Sequence, residues 1–215
     1  MTDQADRWGS EFGAQYTGRN PTTPEDMEAL YVARFHTTRT SMNEEFLRGV
    51  PRDARVLEVG CNVGMQLHLL ARMGFETLFG VEINSLAVER ARRLNIGLPI
   101  EVVKGSALEL PFPDDSFDLV YTSGVLIHIH PDDVPNVQRE MVRCTRRWIW
   151  GFEYYAPHGH VEIPYRGERN LLWKADFAHT FVEHIPELRL VTKRLYTYFD
   201  EPGGLQDAMY LLERQ

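Results

Sequence analysis

Cysteine is scarce in this chain: Cys61 and Cys144 are the only two among 215 residues. Two thiols, one in a glycine-flanked turn and one near an expected helix end, build neither a disulfide framework nor a cysteine-based metal centre. Both are expected to be reduced and partly buried. Positive charge is also in short supply. Lys and Arg total 23 against 31 Asp and Glu, a net charge of −8 with a pI near 5.5. A protein that grips a nucleic-acid backbone normally displays a basic face, so nucleic acid is not an expected partner. Apolar runs of membrane-spanning length are missing too, which argues against a membrane partner. The opening residues 1–6 have neither the basic start nor the apolar centre of a secretory signal. A cytoplasmic location is the expectation, and nothing in the sequence sets an oligomeric state.

What remains is ordinary globular composition, 43% apolar and 25% charged, at a length suited to one sizeable core. One domain over 1–215 is expected, with an N-terminal lid and helices over 1–50 and an α/β core over 51–215. Residues 8–21 mix aromatics and glycines without a clear period. They suit a lid in which Trp8, Phe12 or Tyr16 packs on a ligand and Arg19 offers a fork to an anion. Thr23-Pro24-Glu25-Asp26 is a helix start, with a hydroxyl cap, a proline at the first helical place and acids in the first turn. A second helical piece continues through Met42, Phe46 and Leu47 until Gly49 and Pro51. From Arg55 strands and helices alternate, the signature of a parallel sheet. Strands are expected over 55–59, 76–82, 101–104, 117–123 and 148–154, with helices over 63–73, from a Ser85 cap to Leu94, and over 134–144. A terminal pair over 188–198 and 208–213 brings the total to seven strands.

The organising stretch is Val56-Leu57-Glu58-Val59-Gly60-Cys61-Asn62-Val63-Gly64, a buried strand turning into a helix. Open α/β sheets bind ligands outside the carboxyl ends of their strands, and glycines there let a ligand approach the backbone. A dinucleotide fingerprint would place glycines at the first, third and sixth positions of the turn. Asn62 and Met65 hold the third and sixth. Glu58, two residues before the first glycine, would repel a diphosphate and suits a cationic ligand such as an ammonium. An NAD-dependent oxidoreductase is disfavoured on both grounds. Glu82 ends the second strand 22 residues after Gly60, near the spacing at which an acid meets a ribose diol. Ile83 beside it is placed to pack on an adenine.

The acid-x-Gly-x-x-x-Gly turn resembles motif I of class I S-adenosylmethionine (SAM) methyltransferases, with Asn62 in place of the usual middle glycine. The segment from Lys104-Gly105-Ser106-Ala107 to Phe117-Asp118-Leu119-Val120 is similar to the stretch joining the third and fourth strands of that family. The resemblance implies a Rossmann-like fold: a seven-stranded, mostly parallel sheet with helices on both faces and an N-terminal helical lid. It implies SAM as cofactor, with Glu58, Gly60, Cys61, Asn62 and Gly64 around the methionine part and Glu82 and Ile83 at the ribose and adenine. Ser106, where the family often has aspartate, and Ala107 would lie at the adenine, and Tyr16 and Ser123 complete the set.

After the fourth strand comes Ser123-Gly124-Val125-Leu126-Ile127-His128. In the resembling family this turn faces the acceptor, which makes His128 the candidate general base, since imidazole titrates near working pH. His128-x-His130 and His158-x-His160-x-Glu162 lack the helical spacing of a zinc-protease pair, and no cysteines support them, so no metal is expected. The blocks around Tyr154-Tyr155, Tyr165-Arg166 and Trp173-Lys174, with Phe12-Gly13 to Asn20, look like small methylases associated with pseudaminic acid biosynthesis. That implies a small polar acceptor such as a sugar or sugar-acid of a surface-glycan or secondary-metabolite pathway. Tyr154, Tyr155 and Tyr165 offer rings to a sugar face and Arg166 a fork to an anion. An RNA or other small-molecule acceptor, and a non-catalytic SAM-binding subunit acting through a partner, are the competing readings.

Overall fold

The computed structural model describes residues 3–200 and 203–215. Met1 and Thr2, which open the stretch read above as unlike a secretory signal, lie outside the described residues. Two short helices come first, α1 (Asp3–Gly9) and α2 (Glu11–Thr17), where no period was expected. Next come α3 (Pro24–Phe35) and α4 (Arg39–Leu47). The Thr23 hydroxyl caps α3 by accepting from the Asp26 amide at 3.1 Å, as the proline and acids after it foretold.

The core alternates β1 (Arg55–Val59), α5 (Met65–Arg72), β2 (Thr77–Glu82), α6 (Ser85–Leu94), β3 (Ile100–Lys104), β4 (Phe117–Ser123), α7 (Val134–Cys144) and β5 (Thr145–Tyr154). A two-stranded ribbon follows, β6 (Val161–Glu162) with β7 (Trp173–Lys174), then α8 (Phe177–His184), β8 (Leu188–Thr197) and β9 (Gln206–Arg214). Among the described residues the main sheet has seven strands in the order β3-β2-β1-β4-β5-β9-β8. The first five run parallel, and β9 joins β5 antiparallel.

Burial explains this layering. Val56, Leu57 and Val59 are fully shielded, as strands covered on both faces must be. Val56 faces a core with Phe35, Phe46, Leu67, Leu70 and Val88 from α3 to α6, while Leu57 and Val59 face Val137, Met141 and Phe181 from α7 and α8. Several expected bounds shift by one to three residues, two of them with a clear cause. The cap of α6 is Asn84 rather than Ser85, because the Asn84 side-chain Oδ1 accepts from the Leu86 and Ala87 amides at 3.1 and 3.3 Å. Strand β5 starts three residues early, since Thr145 already pairs with Phe117. No described helix is long and apolar enough to cross a membrane.

Candidate active site

The carboxyl ends of β1, β2 and β4 open into one cavity of about 350 Å³, in the size range of small-molecule sites. The turn after β1 depends on Gly60, which sits in the left-handed region at φ 72°. A Cβ there would come within 2.7 Å of Val125 Cγ2, so only glycine lets this turn meet the loop after β4. Asn62 is also left-handed (φ 47°), which aims its amide at Glu82 Oε2, 2.9 Å away. The Asn84 amide donates to Glu82 Oε1 at 2.8 Å. Burial raises the Glu82 pKa, and these two amides oppose the rise. Each oxygen keeps a further lone pair for a ligand.

Glu58 is 3% exposed, lines the cavity, and its Oε2 has no hydrogen-bond partner. Burial pushes its carboxyl up to about 8, against the neighbouring Tyr121 hydroxyl and the Arg39 charge. An unpaired buried acceptor is costly, and a ligand donor at this position relieves the cost.

The loop after β4 is pinned from β5. Glu153, 1% exposed, accepts from the Val125 and Ile127 amides at 3.1 and 3.4 Å, and burial raises its carboxyl to about 7. The loop ends in a single 3-10 turn, Leu126–His128, that brings His128 to the cavity. His128 Nδ1 lies 2.9 Å from the Leu171 carbonyl oxygen.

The lid lies directly over these groups. The Asn84 side-chain amide donates to the Trp8 and Ser10 carbonyls at 3.2 and 2.9 Å, the His130 amide donates to Gln4 Oε1 at 2.6 Å, and Arg7 pairs with Glu168. Trp8 packs 4.5 Å from the His128 ring and 5.3 Å from Tyr16. A Cβ on Gly13 would collide with the Trp8 carbonyl, so α1 and α2 fold together only with glycine there. Burial raises the Tyr16 phenol.

Every residue expected at the cofactor lines this cavity except Gly64. Gly64 is required for another reason: it starts α5 at φ 76°, and a Cβ there would sit 2.8 Å from Asn95 Nδ2. His128, Tyr154 and Tyr165 line it as well. Tyr155 and Arg166 do not. Tyr155 is half-buried beneath Lys193, whose Nζ lies 5.3 Å from the ring. Arg166 occupies a left-handed position (φ 57°) in the exposed turn bridged by Tyr165 and Glu168. Ser106 reaches the cavity while its hydroxyl accepts from the Leu108 amide at 3.2 Å. No group of three or more His, Cys, Asp or Glu among the described residues could hold a metal ion. The sequence reading missed Asp207, Tyr198 and Tyr31, which also line the cavity. An acid at the head of the apolar run 208–212 was the available signal for the first.

These residues fit SAM. A carboxylate fixed at both oxygens at the end of β2 matches a ribose diol, and a buried carboxylate with a free oxygen just before the glycine-lined turn matches the amino-acid end.

Comparison with known proteins agrees. Residues 56–147 match the family model of a methyltransferase domain. Cycloartenol-C-24-methyltransferase of Arabidopsis thaliana is 26% identical over 167 residues, covering 71% of this chain and 46% of that protein. Methyltransferase GfsG of Streptomyces halstedii is 38% identical over 96 residues, 43% of this chain and 34% of that protein. The chain thus spans less than half the length of these curated relatives. The solved structure of a SAM-dependent methyltransferase from Leishmania major superposes with a TM-score of 0.72 at 16% identity, covering 99% of this chain and 87% of that one, which shows the fold. Family match, sheet order and site chemistry converge: over residues 56–147 the chain resembles a methyltransferase domain, its fold is that of SAM-dependent methyltransferases, and its residues fit S-adenosylmethionine.

Proposed function

We propose that this chain transfers the methyl group of SAM to a small polar acceptor, a sugar or sugar-acid, and that it acts on neither nucleic acid nor membrane. The observation that carries the reading is Glu82, held by two backbone amides in the same cavity as the unpaired Glu58 oxygen. SAM supplies a methyl group on a sulfonium centre. The chain's own residues hold, align and shield. Glu82 accepts from the ribose hydroxyls, Glu58 from the ammonium, and Ile83, Ser106 and Ala107 bound the adenine. The α1–α2 lid excludes water, and close alignment of acceptor and cofactor supplies much of the rate. His128 presents Nε2 to take the proton from the acceptor hydroxyl.

A small acceptor suits the cavity size and the lid that closes it, and the acidic balance counts against RNA. The test is mass spectrometry after incubating the protein and SAM with a panel of nucleotide-activated sugars and sugar acids. A gain of one methyl by a member of the panel supports the reading. Bound SAM with methyl transfer to RNA alone, or only after a second protein is added, overturns it.

A further inference from the structure

The cavity continues past the cofactor residues. Beyond Ser123 it reaches the end of β5 and the start of β9, where Tyr31, Phe35, Phe152, Tyr154 and Tyr198 wall it and Asp207 faces it. Asp207 pairs with Tyr154 across the β5–β9 ladder, two strands beyond the β4 that carries Ser123. Its carboxyl is 3% exposed. Oδ2 accepts the Tyr198 hydroxyl at 2.9 Å, while Oδ1 has no partner. Nothing in the cofactor assignment uses this group, and a buried acceptor without a donor costs stability.

The walls also carry information. The rings form a continuous box, with Phe35 4.8 Å from Tyr198, Tyr31 5.8 Å from Phe152 and Tyr154 6.4 Å from Tyr198. Cations already lie on several of these rings: Arg39 is 4.4 Å from Phe152 and 5.1 Å from Tyr31, and Arg34 is 5.4 Å from Tyr198. An aromatic box with a carboxylate would ordinarily suit an ammonium. Two guanidiniums held this close disfavour a third cation, and the Asp207 and Glu153 carboxyls, both pushed up to about 7 by burial and still partly ionised near neutral pH, disfavour an anion at Oδ1. A neutral donor remains.

We propose that this end of the cavity is the acceptor subsite and that Asp207 selects the acceptor by a neutral hydroxyl, whose O–H donates to Oδ1 while the rings pack on its body. The inference rests on the methyl-transfer reading and names the acceptor chemistry. Buried groups built to pair with a hydroxyl reject analogues that lack it, because the group is then left unpaired.

The test is titration of the full chain, saturated with S-adenosylhomocysteine, by three probes followed by ligand-observed NMR: phenol, its methyl ether anisole, and benzylamine as its cation. Phenol is expected to bind about tenfold tighter than anisole. Asp207→Leu is expected to bring phenol down to the anisole level while SAM and anisole affinities stay within about twofold. Asp207→Asn keeps an oxygen acceptor and is expected to lose less, and it carries the comparison should the leucine variant fail to fold. Equal binding of phenol and anisole, no phenol binding, a preference for benzylamine, or a parallel loss of phenol and anisole in the variants would each overturn the assignment. Absence of SAM binding to the wild type would instead defeat the methyl-transfer reading. Phenol titrated without cofactor then judges Asp207 alone.

Discussion

His128 donates its Nδ1 proton to the Leu171 carbonyl at 2.9 Å, because a carbonyl oxygen only accepts. That bond leaves Nε2 as the bare nitrogen of the neutral ring. Burial pulls the imidazole down to about 4, with the Leu171 bond resisting. An unfolded histidine titrates near 6.5, so the unfolded chain binds the extra proton first. His128 therefore contributes its full stability above pH 6.5, and that contribution is lost as pH falls from 6.5 toward 4. Urea unfolding of wild type and His128→Gln at pH 7.5 and 4.5 should show the wild type losing about 2–3 kcal/mol more than the variant. Parallel losses would mean that the ring is not held neutral.

Glu58 gives a second pH dependence, this one in cofactor binding. Burial holds its carboxyl up to about 8 in the protein alone, so near pH 7 much of it is protonated. Pairing with the cofactor's ammonium requires the carboxylate, and binding must then release a proton. SAM affinity should rise between pH 6 and 7.5, with net proton release visible in calorimetry across buffers of different ionisation enthalpy. Glu58→Gln should abolish both, and a variant that keeps them would remove Glu58 from the amino-acid end.

The lid hangs on Gly13. A side chain there meets the Trp8 carbonyl, a backbone atom that cannot swing aside. Gly13→Ala should undock α1 and α2 and weaken SAM binding about tenfold, while leaving the melting temperature of the sheet core within a few degrees. Limited proteolysis should then cut within residues 3–20. An uncut segment with unchanged affinity would show that the lid does not depend on this approach.

Arg166 sets the contrast. It is exposed and outside the cavity lining, so Arg166→Ala should change neither SAM affinity nor stability beyond about 0.5 kcal/mol. A clear rise in the acceptor Michaelis constant would return the anion-clamp role expected from the sequence.

Much of the architecture was readable in the chain because buried parallel strands leave near-continuous apolar runs. Residues 55–59, 117–123 and 134–144 form elements at the expected bounds. The lid helices were harder. Trp8, Phe12 and Tyr16 recur every four residues, which is helical spacing, but Gly9, Gly13 and Gly18 between them masked it. Gly64 was read as a cofactor glycine, whereas its missing side chain makes room for Asn95, a contact 31 positions away that no local pattern reveals. Asp207, marked only by its place at the head of an apolar run, could not be put at the site for a related reason. It reaches the site only through the register of β9 against β5, and register is set by tertiary pairing.

The central claim is that Glu82 and the glycine-lined turn form a SAM site. Equilibrium titration of SAM against wild type and Glu82→Ala, with NAD as the competing ligand, tests it most directly. One SAM per chain for the wild type, a loss of about a hundredfold or more in the variant through the lost ribose bonds, and no NAD binding are predicted. Wild-type protein that binds NAD but not SAM, or a variant that holds SAM as tightly as the wild type, would contradict it.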